Sequence, residues 1–223
     1  MRALYGGMMC LAACCALAGC GAAGSAQTSE EDASQQAAKD APRLVPTAEA
    51  ARAAEPFPLV VLRTSLGNIT VKLDAEHAPA TVANFLDLVQ SGQYNETIFH
   101  EVEAGYVVLG GSYRQDLSEK KARYTIRNEA DNGLENRRGA IAMARQLDTI
   151  DSSTSQFFVN VADNPSLDHR GPEPENFGYC VFGEVTEGMD VVDRIAQLRV
   201  QEKDGFSKLP LQAALIESAR RRR

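Results

Sequence analysis

Residues 98–111 read Ile-Phe-His-Glu-Val-Glu-Ala-Gly-Tyr-Val-Val-Leu-Gly-Gly, and the interpretation of the chain starts from this stretch. β-Branched and aromatic residues dominate it, which predicts two short strands, Ile98–Val102 and Val107–Gly110. The stretch closes with the glycine pair Gly110-Gly111. The stretch is therefore interpreted as a strand pair.

The sequence on both sides continues the pattern of short strands. Further strands are predicted at Leu59–Leu62, Ile69–Leu73, Ala140–Met143, Phe157–Val161, Tyr179–Val185 and Gln212–Glu217. Pro79 opens a helix, because its missing N–H costs nothing in the first turn. The apolar stripe of that helix has the spacing i, i+3, i+4, i+7: Val82, Phe85, Leu86 and Val89. A second helix is predicted at Met189–Ala196. Many short strands with two helices favour a closed antiparallel barrel with a helix at each end, although this pattern alone also allows a β-sandwich.

Composition limits the partners that the protein can have. A chain of 223 residues with 44% hydrophobic residues can hold one domain of ordinary size and a tail. The formal net charge of −7 argues against nucleic-acid binding, which normally needs a basic face. His77, His100 and His169 lack the spacing of metal ligands, and we expect no metal and no cofactor.

The first 55 residues predict targeting and anchoring. Residues 1–19 combine Arg2 with a short apolar run and are interpreted as a lipoprotein signal peptide, because the segment before Cys20 resembles a bacterial lipobox. Cys20 would carry the lipid and anchor the protein to the membrane of a bacterial cell envelope, facing the periplasm. Gly21 favours the outer over the inner membrane, by resemblance to Gram-negative lipoproteins. A plain secretory signal is the alternative. Residues 20–55 are polar and rich in alanine, and they predict a disordered tether.

Seven motifs in order carry a resemblance to one family. Besides 98–111 they are Ala80–Phe85, Asn128–Leu134, Arg138–Arg145, Ser153–Asn160, Phe177–Val185 and Gly188–Val192. They resemble cyclophilins, the peptidyl-prolyl cis-trans isomerases, and 128–134 resembles the bacterial branch in particular. The resemblance implies a mostly β domain over 56–219, a closed eight-stranded antiparallel barrel capped by two helices. Residues 220–223 then form a basic tail. Of the five cysteines only Cys180 lies in this domain, where we expect it to be buried.

The reaction of that family sets clear requirements. An X–Pro amide isomerises over a barrier of about 18–20 kcal/mol, because twisting the C–N bond destroys its resonance. The twisted nitrogen has a localised, basic lone pair. A catalyst therefore needs an apolar pocket for the proline ring, groups that hold the flanking backbone, and a donor directed at that nitrogen.

The resemblance assigns most of a substrate site for proline-containing polypeptides. Phe158 would form the pocket floor, and Tyr106 and Val107 would form one side. Leu167 and Tyr179 would close the other side. The backbone of Ala144 and Arg145 and the amide of Gln156 would hold the substrate main chain.

The catalytic donor departs from the family pattern. Glu101 stands where the family carries arginine, and Leu109 stands where it carries glutamine. An ionised carboxylate only accepts hydrogen bonds, so Glu101 cannot replace a guanidinium. Arg145 or Arg114 could lean in to supply a cation, and a carboxyl kept protonated by burial could itself donate. These departures predict reduced turnover.

Three functions are compatible with these residues. The first is a lipid-anchored peptidyl-prolyl isomerase acting on envelope or exported proteins. The second is a non-catalytic module that binds proline-containing peptides as a chaperone or recruiter. The third is a structural envelope lipoprotein. Comparing peptide affinity with isomerisation rate distinguishes the first two.

Overall fold

The structure is a computed structural model that describes residues 55–222. The predicted signal peptide, the predicted lipidation residue Cys20 and nearly all of the predicted tether lie outside these residues. Strands occupy Leu59–Thr64 (β1), Gly67–Leu73 (β2), Thr97–Val102 (β3), Val107–Arg114 (β4), Ala140–Met143 (β5), Phe157–Asn160 (β6), Val181–Glu187 (β7), Val200–Lys203 (β8), Phe206–Pro210 (β9) and Ala214–Arg221 (β10). The helices are Pro79–Gln90 (α1) and Met189–Ala196 (α2).

Eight of the strands close into an antiparallel barrel. Their order around it is β1-β10-β3-β4-β6-β5-β7-β2. The predicted barrel is therefore confirmed, and the β-sandwich alternative is wrong. The remaining strands, β8 and β9, form a separate hairpin.

Alternating strand residues and one face of each helix fill the barrel. Phe85 of α1 stacks on Tyr94, Phe157 and Phe182 at ring-centroid distances of 5.0–5.6 Å. Val191, Val192 and Ile195 of α2 belong to the same buried cluster. Cys180 is 2% exposed, as expected for a small apolar side chain, and burial raises the pKa of its thiol to about 12.

Within residues 55–222, neither helix has the length and apolar character needed to cross a bilayer.

The hairpin β8–β9 was not expected from the apolar pattern. Both strands are short; β8 is largely exposed, and burial along β9 does not alternate, because its last two residues, Leu209 and Pro210, are both buried. A signal does exist at its turn, where Asp204 and Gly205 have φ values of 52° and 88°. An Asp-Gly pair with both φ values positive is the preferred two-residue connection of a hairpin.

The end of the domain needs a correction. β10 continues through Arg220 and Arg221, which pair with Val61 and Val60 of β1. The boundary expected after residue 219 therefore lies inside a barrel strand. These arginines are part of the β1–β10 seam, because closing the barrel requires a full partner strand for β1.

Candidate functional site

A row of facing residues crosses five neighbouring strands of the barrel. Glu101 of β3 is opposite Leu109 of β4, Leu109 is opposite Phe158 of β6, and Phe158 is opposite Ala142 of β5. Ala142 in turn faces Val181 of β7. Directly opposite residues share one face of a sheet, with Cβ atoms about 4.5–5.5 Å apart. The row lies on the outer face, because Phe157, the neighbour of Phe158, points into the barrel core.

The row forms the floor of an apolar groove. Its buried members are Ala140, Ala142, Phe158 and Val181. Partly buried side chains packed around them are Val107, Leu109, Leu134, Ala144, Leu167 and Tyr179. The rings of Phe158 and Tyr179 meet edge to face, with centroids 5.6 Å apart and an interplanar angle of 78°. Five of the expected substrate-site residues thus come together here: Val107, Ala144, Phe158, Leu167 and Tyr179.

Tyr106 and Gln156 lie at the edges of this groove. Partial burial raises the pKa of the Tyr106 hydroxyl, and the nearby Tyr179 and Glu103 raise it further. The carbonyl of Gln156 accepts the N–H of Ala144 at 2.9 Å. This hydrogen bond lies within the fold, and the expectation that the backbone of Ala144 and Arg145 and the amide of Gln156 hold the substrate main chain stays a prediction.

A β-bulge directs Glu101 into the groove. The register between β3 and β4 shifts between Phe99 and Glu101, which pair with the consecutive residues Gly110 and Leu109. Phe99 points into the core, and an added Cβ on Gly110 would lie 2.8 Å from the Phe99 ring, so glycine is needed at that position. The extra residue, His100, is left between Phe99 and Glu101. Bulges commonly re-aim a side chain beside an active site.

His100 is buried on the outer side of the barrel beneath the β8–β9 hairpin. Its ring packs against Tyr113 and Phe206 at centroid distances of 4.7 and 5.6 Å. It is 3% exposed, and its Nδ1 has no hydrogen-bond partner within the described residues. Burial lowers the pKa of His100 to about 4, while the hydrogen bond with the Ile98 backbone opposes this shift. His100 is therefore a neutral packing residue near neutral pH.

Neither candidate arginine brings a cation to Glu101. The Arg145 guanidinium donates to four carbonyl oxygens, those of Gly178 (2.8 Å), Gln146 (2.8 Å), Leu147 (3.1 Å) and Pro174 (2.5 Å). It also lies 5.2 Å from the centroid of the Tyr179 ring. The Arg114 guanidinium, at the far end of β4, donates to Ser118 Oγ at 3.5 Å. Glu101 is half-buried, and within residues 55–222 its carboxylate forms no hydrogen bond or ion pair.

Sequence reasoning missed a chain of buried amides that supports the groove. Asp168 Oδ1 accepts the Asn136 N–H at 2.7 Å, and Asn160 donates to Asn136 Oδ1 at 3.2 Å. Asn164 donates to Asn160 Oδ1 at 2.8 Å and to the Tyr106 carbonyl at 3.0 Å. The chain fixes the turn that carries Leu167 relative to the loop that carries Tyr106.

The described residues around Phe158 form an apolar surface. In the part of the chain that the structure describes, no three His, Cys, Asp or Glu side chains are grouped as metal ligands. What the groove offers is an apolar floor, polar loops at its rim and one carboxylate at its end.

Comparison with known proteins gives consistent results. The model of the family "Cyclophilin type peptidyl-prolyl cis-trans isomerase/CLD" matches residues 59–221. Over 161 residues the chain is 48% identical to peptidyl-prolyl cis-trans isomerase A of Dickeya dadantii. This alignment covers 72% of this chain and 83% of the Dickeya protein. It is 46% identical to peptidyl-prolyl cis-trans isomerase cyp18 of Streptomyces antibioticus over 161 residues, and 42% identical to peptidyl-prolyl cis-trans isomerase B of Escherichia coli over 160. Each of these two matches also covers 72% of this chain, and they cover 96% and 97% of those proteins.

The fold agrees with solved structures. A crystal structure of a cyclophilin type peptidyl-prolyl cis-trans isomerase from Cryptosporidium parvum aligns with a TM-score of 0.61 at 23% identity, covering 75% of this chain and 98% of that one. The barrel, the groove on its outer face and the matches over 59–221 lead to one assignment. The chain belongs to the cyclophilin-type peptidyl-prolyl cis-trans isomerases, the family of enzymes that act on proline-containing peptides.

Proposed function

We propose that this protein is a lipid-anchored peptidyl-prolyl isomerase of the bacterial envelope with low turnover. Its substrates are X–Pro segments of envelope or exported proteins. The observation that carries the low turnover is the row Glu101–Leu109–Phe158, in which an apolar floor ends at a carboxylate.

The chemistry of the twisted amide supports low turnover. A proline ring on Phe158 would have its nitrogen on the side of the groove that Leu109 and Glu101 border. The localised lone pair of that nitrogen needs a donor, whereas an ionised carboxylate only accepts. Loss of one preorganised donor at an active site costs about 10²–10³ in rate. Leu109 has an apolar side chain and cannot donate either.

Glu101→Arg tests this proposal. Residues 55–223 are suitable for the test, because the Streptomyces relative consists almost entirely of this domain. Isomerisation of a short X–Pro peptide is measured by NMR exchange, which needs no coupled protease. We expect a rate increase of at least tenfold over the unaltered domain. The matched control is Glu96→Arg, an equal charge reversal at the exposed residue before β3. High and equal rates in all three proteins would contradict the proposal.

The lipid anchor is a separate part of the proposal. It is supported by Cys20 after a short apolar run and by the 35 residues between Cys20 and the first residue of the domain. We place the protein on the periplasmic side of the outer membrane, on the basis of Gly21. Expression of the full chain with Cys20→Ala should move it from the membrane fraction to the soluble periplasmic fraction. Unchanged fractionation would contradict lipidation.

The net charge of −7 further leads us to propose that nucleic acid is not a partner.

A second function uses the same groove without catalysis. The apolar floor around Phe158 is complete, whereas the donor is not, which favours a module that binds proline peptides and releases them unchanged. Tight peptide binding with no rate enhancement would support this alternative. Peptide binding that Phe158→Ala abolishes would exclude a purely structural role for the barrel.

A further inference from the structure

Glu101 is an uncompensated negative charge at the end of the apolar groove. The bulge in β3 directs it to the outer face, one strand from Leu109 and two from Phe158. Two strand spacings correspond to about 10 Å. The side chain is only half exposed, so part of its hydration is lost.

The other charges at the groove are already engaged. Lys208 of β9 forms an ion pair with Glu103, two residues after Glu101. The Arg145 guanidinium donates to four carbonyl oxygens. Asp168 accepts two hydrogen bonds from Asn136, at 2.7 and 3.0 Å. No residue in the described range 55–222 supplies Glu101 with a cation, so a partner that would neutralise it lies outside those residues.

A bound peptide can supply that partner. Residues of an extended peptide are about 3.3 Å apart, so a residue one or two positions from a proline on Phe158 lies within reach of Glu101 if its side chain is long. Arginine and lysine have such side chains with a cationic end. A carboxylate held by a rigid strand next to an apolar floor attracts such a cation more strongly than a fully solvated carboxylate does.

We propose that this groove selects proline segments with an arginine or lysine one or two residues from the proline. The selection rests on the proposed function, because it uses the same groove. The substrate class is therefore basic X–Pro segments, and Glu101 is the residue that determines this specificity. The overall charge of −7 assists the encounter with such segments.

The test is a charge scan of peptides against charge variants. Host peptides contain one proline in an alanine background, with arginine, glutamine or glutamate at positions −2, −1, +1 or +2. Dissociation constants are measured by NMR titration at low salt, with residues 55–223 of the chain. At the best position we expect arginine to bind about three- to tenfold more tightly than glutamine, and glutamate to bind more weakly. At 1 M salt, where the screening length is about 3 Å, the difference should shrink.

Three variants identify the cause. Glu101→Gln should abolish the preference for arginine, and Glu101→Arg should reverse it towards glutamate peptides. Glu96→Gln removes the same charge from an exposed position before β3 and should keep the preference. A preference that survives Glu101→Gln would overturn the inference, because the cation would then be recognised elsewhere.

Two further outcomes separate this inference from the proposed function. Equal binding of arginine and glutamine peptides, with binding that still depends on Phe158, would overturn the charge selection and leave the groove assignment intact. Absence of Phe158-dependent binding for every peptide would overturn both.

Discussion

Acid should destabilise this protein through His100. The imidazole is 3% exposed and lies between the rings of Tyr113 and Phe206. Its Nδ1 has no partner that could stabilise a proton, within the residues described. Burial lowers the pKa of His100 to about 4, so the folded protein resists protonation that the unfolded chain accepts.

The size and sign of the effect follow from the two pKa values. In the unfolded chain His100 has a pKa of about 6.5. Between pH 6.5 and 4 the unfolded state binds the proton and the folded state does not, so the free energy of unfolding decreases as the pH falls. A difference of about 2.5 pKa units corresponds to a loss of about 3 kcal/mol, complete near pH 4 and absent above pH 7. This is a large part of the typical 5–15 kcal/mol of a domain.

Urea unfolding at several pH values measures this loss. His100→Phe replaces the imidazole with a ring that cannot titrate and that suits the same aromatic contacts. Every other side chain is the same in both proteins, so their effects cancel in the difference. We expect the stability of the variant relative to the unaltered domain to rise by about 3 kcal/mol between pH 7 and pH 4. His100→Gln should show the same trend if the phenylalanine does not fit. A difference that stays constant over this range for both variants would refute the reasoning.

Three further predictions concern the groove and the barrel. Arg145→Ala should raise the KM for peptides more than it lowers kcat, because the loops around Tyr179 lose the four hydrogen bonds that hold them together. Arg145→Lys should recover only part of the affinity, since a single ammonium group cannot reach all four carbonyl oxygens. Peptide kinetics with KM values equal to that of the unaltered domain would contradict this. Adding Leu109→Gln to Glu101→Arg should raise the isomerisation rate by about another tenfold or more, because the glutamine amide supplies a second hydrogen-bond donor. An NMR exchange rate equal to that of Glu101→Arg alone would contradict this prediction. Gly183→Ala should lower the free energy of unfolding by more than about 2 kcal/mol, because the added Cβ would overlap the Lys72 carbonyl oxygen across the β2–β7 seam. A urea unfolding midpoint equal, within error, to that of the unaltered domain would contradict this prediction.

The elements that could be predicted are those that fill the barrel. Apolar stretches such as Ala140–Met143 and the stripe on α1 are buried against the core, and burial imposes the pattern that the sequence displays. The β8–β9 hairpin covers His100 through Phe206, and burial does not alternate along either of its strands. Its turn chemistry at Asp204-Gly205 was the available signal.

The groove divides in the same way. The family resemblance predicted that Phe158, Leu167 and Tyr179 lie close together, and they belong to one apolar cluster. Their positions could be predicted because strand register and one short turn determine them. The direction of the Arg145 side chain could not be predicted, since it depends on the carbonyls of Pro174 and Gly178, about 30 residues later. Contacts between two loops produce no periodic pattern in the sequence of either loop.

The residue that most changes the chemistry of this groove is one that the fold does not constrain. His100 and Glu101 are neighbours at one bulge, yet His100 is enclosed by two rings whereas Glu101 faces solvent and the groove. Within residues 55–222 the Glu101 carboxylate forms no hydrogen bond or ion pair, and a chain with an anion at residue 101 keeps the barrel and an identity of 42–48% to named isomerases. Under the proposed function, the exchange of a cation for an anion at residue 101 reverses the sign of the charge nearest the twisted amide nitrogen of a bound proline. We therefore propose that residue 101 sets both the rate and the charge of the peptide that binds, while the apolar floor is what the chain shares with its family.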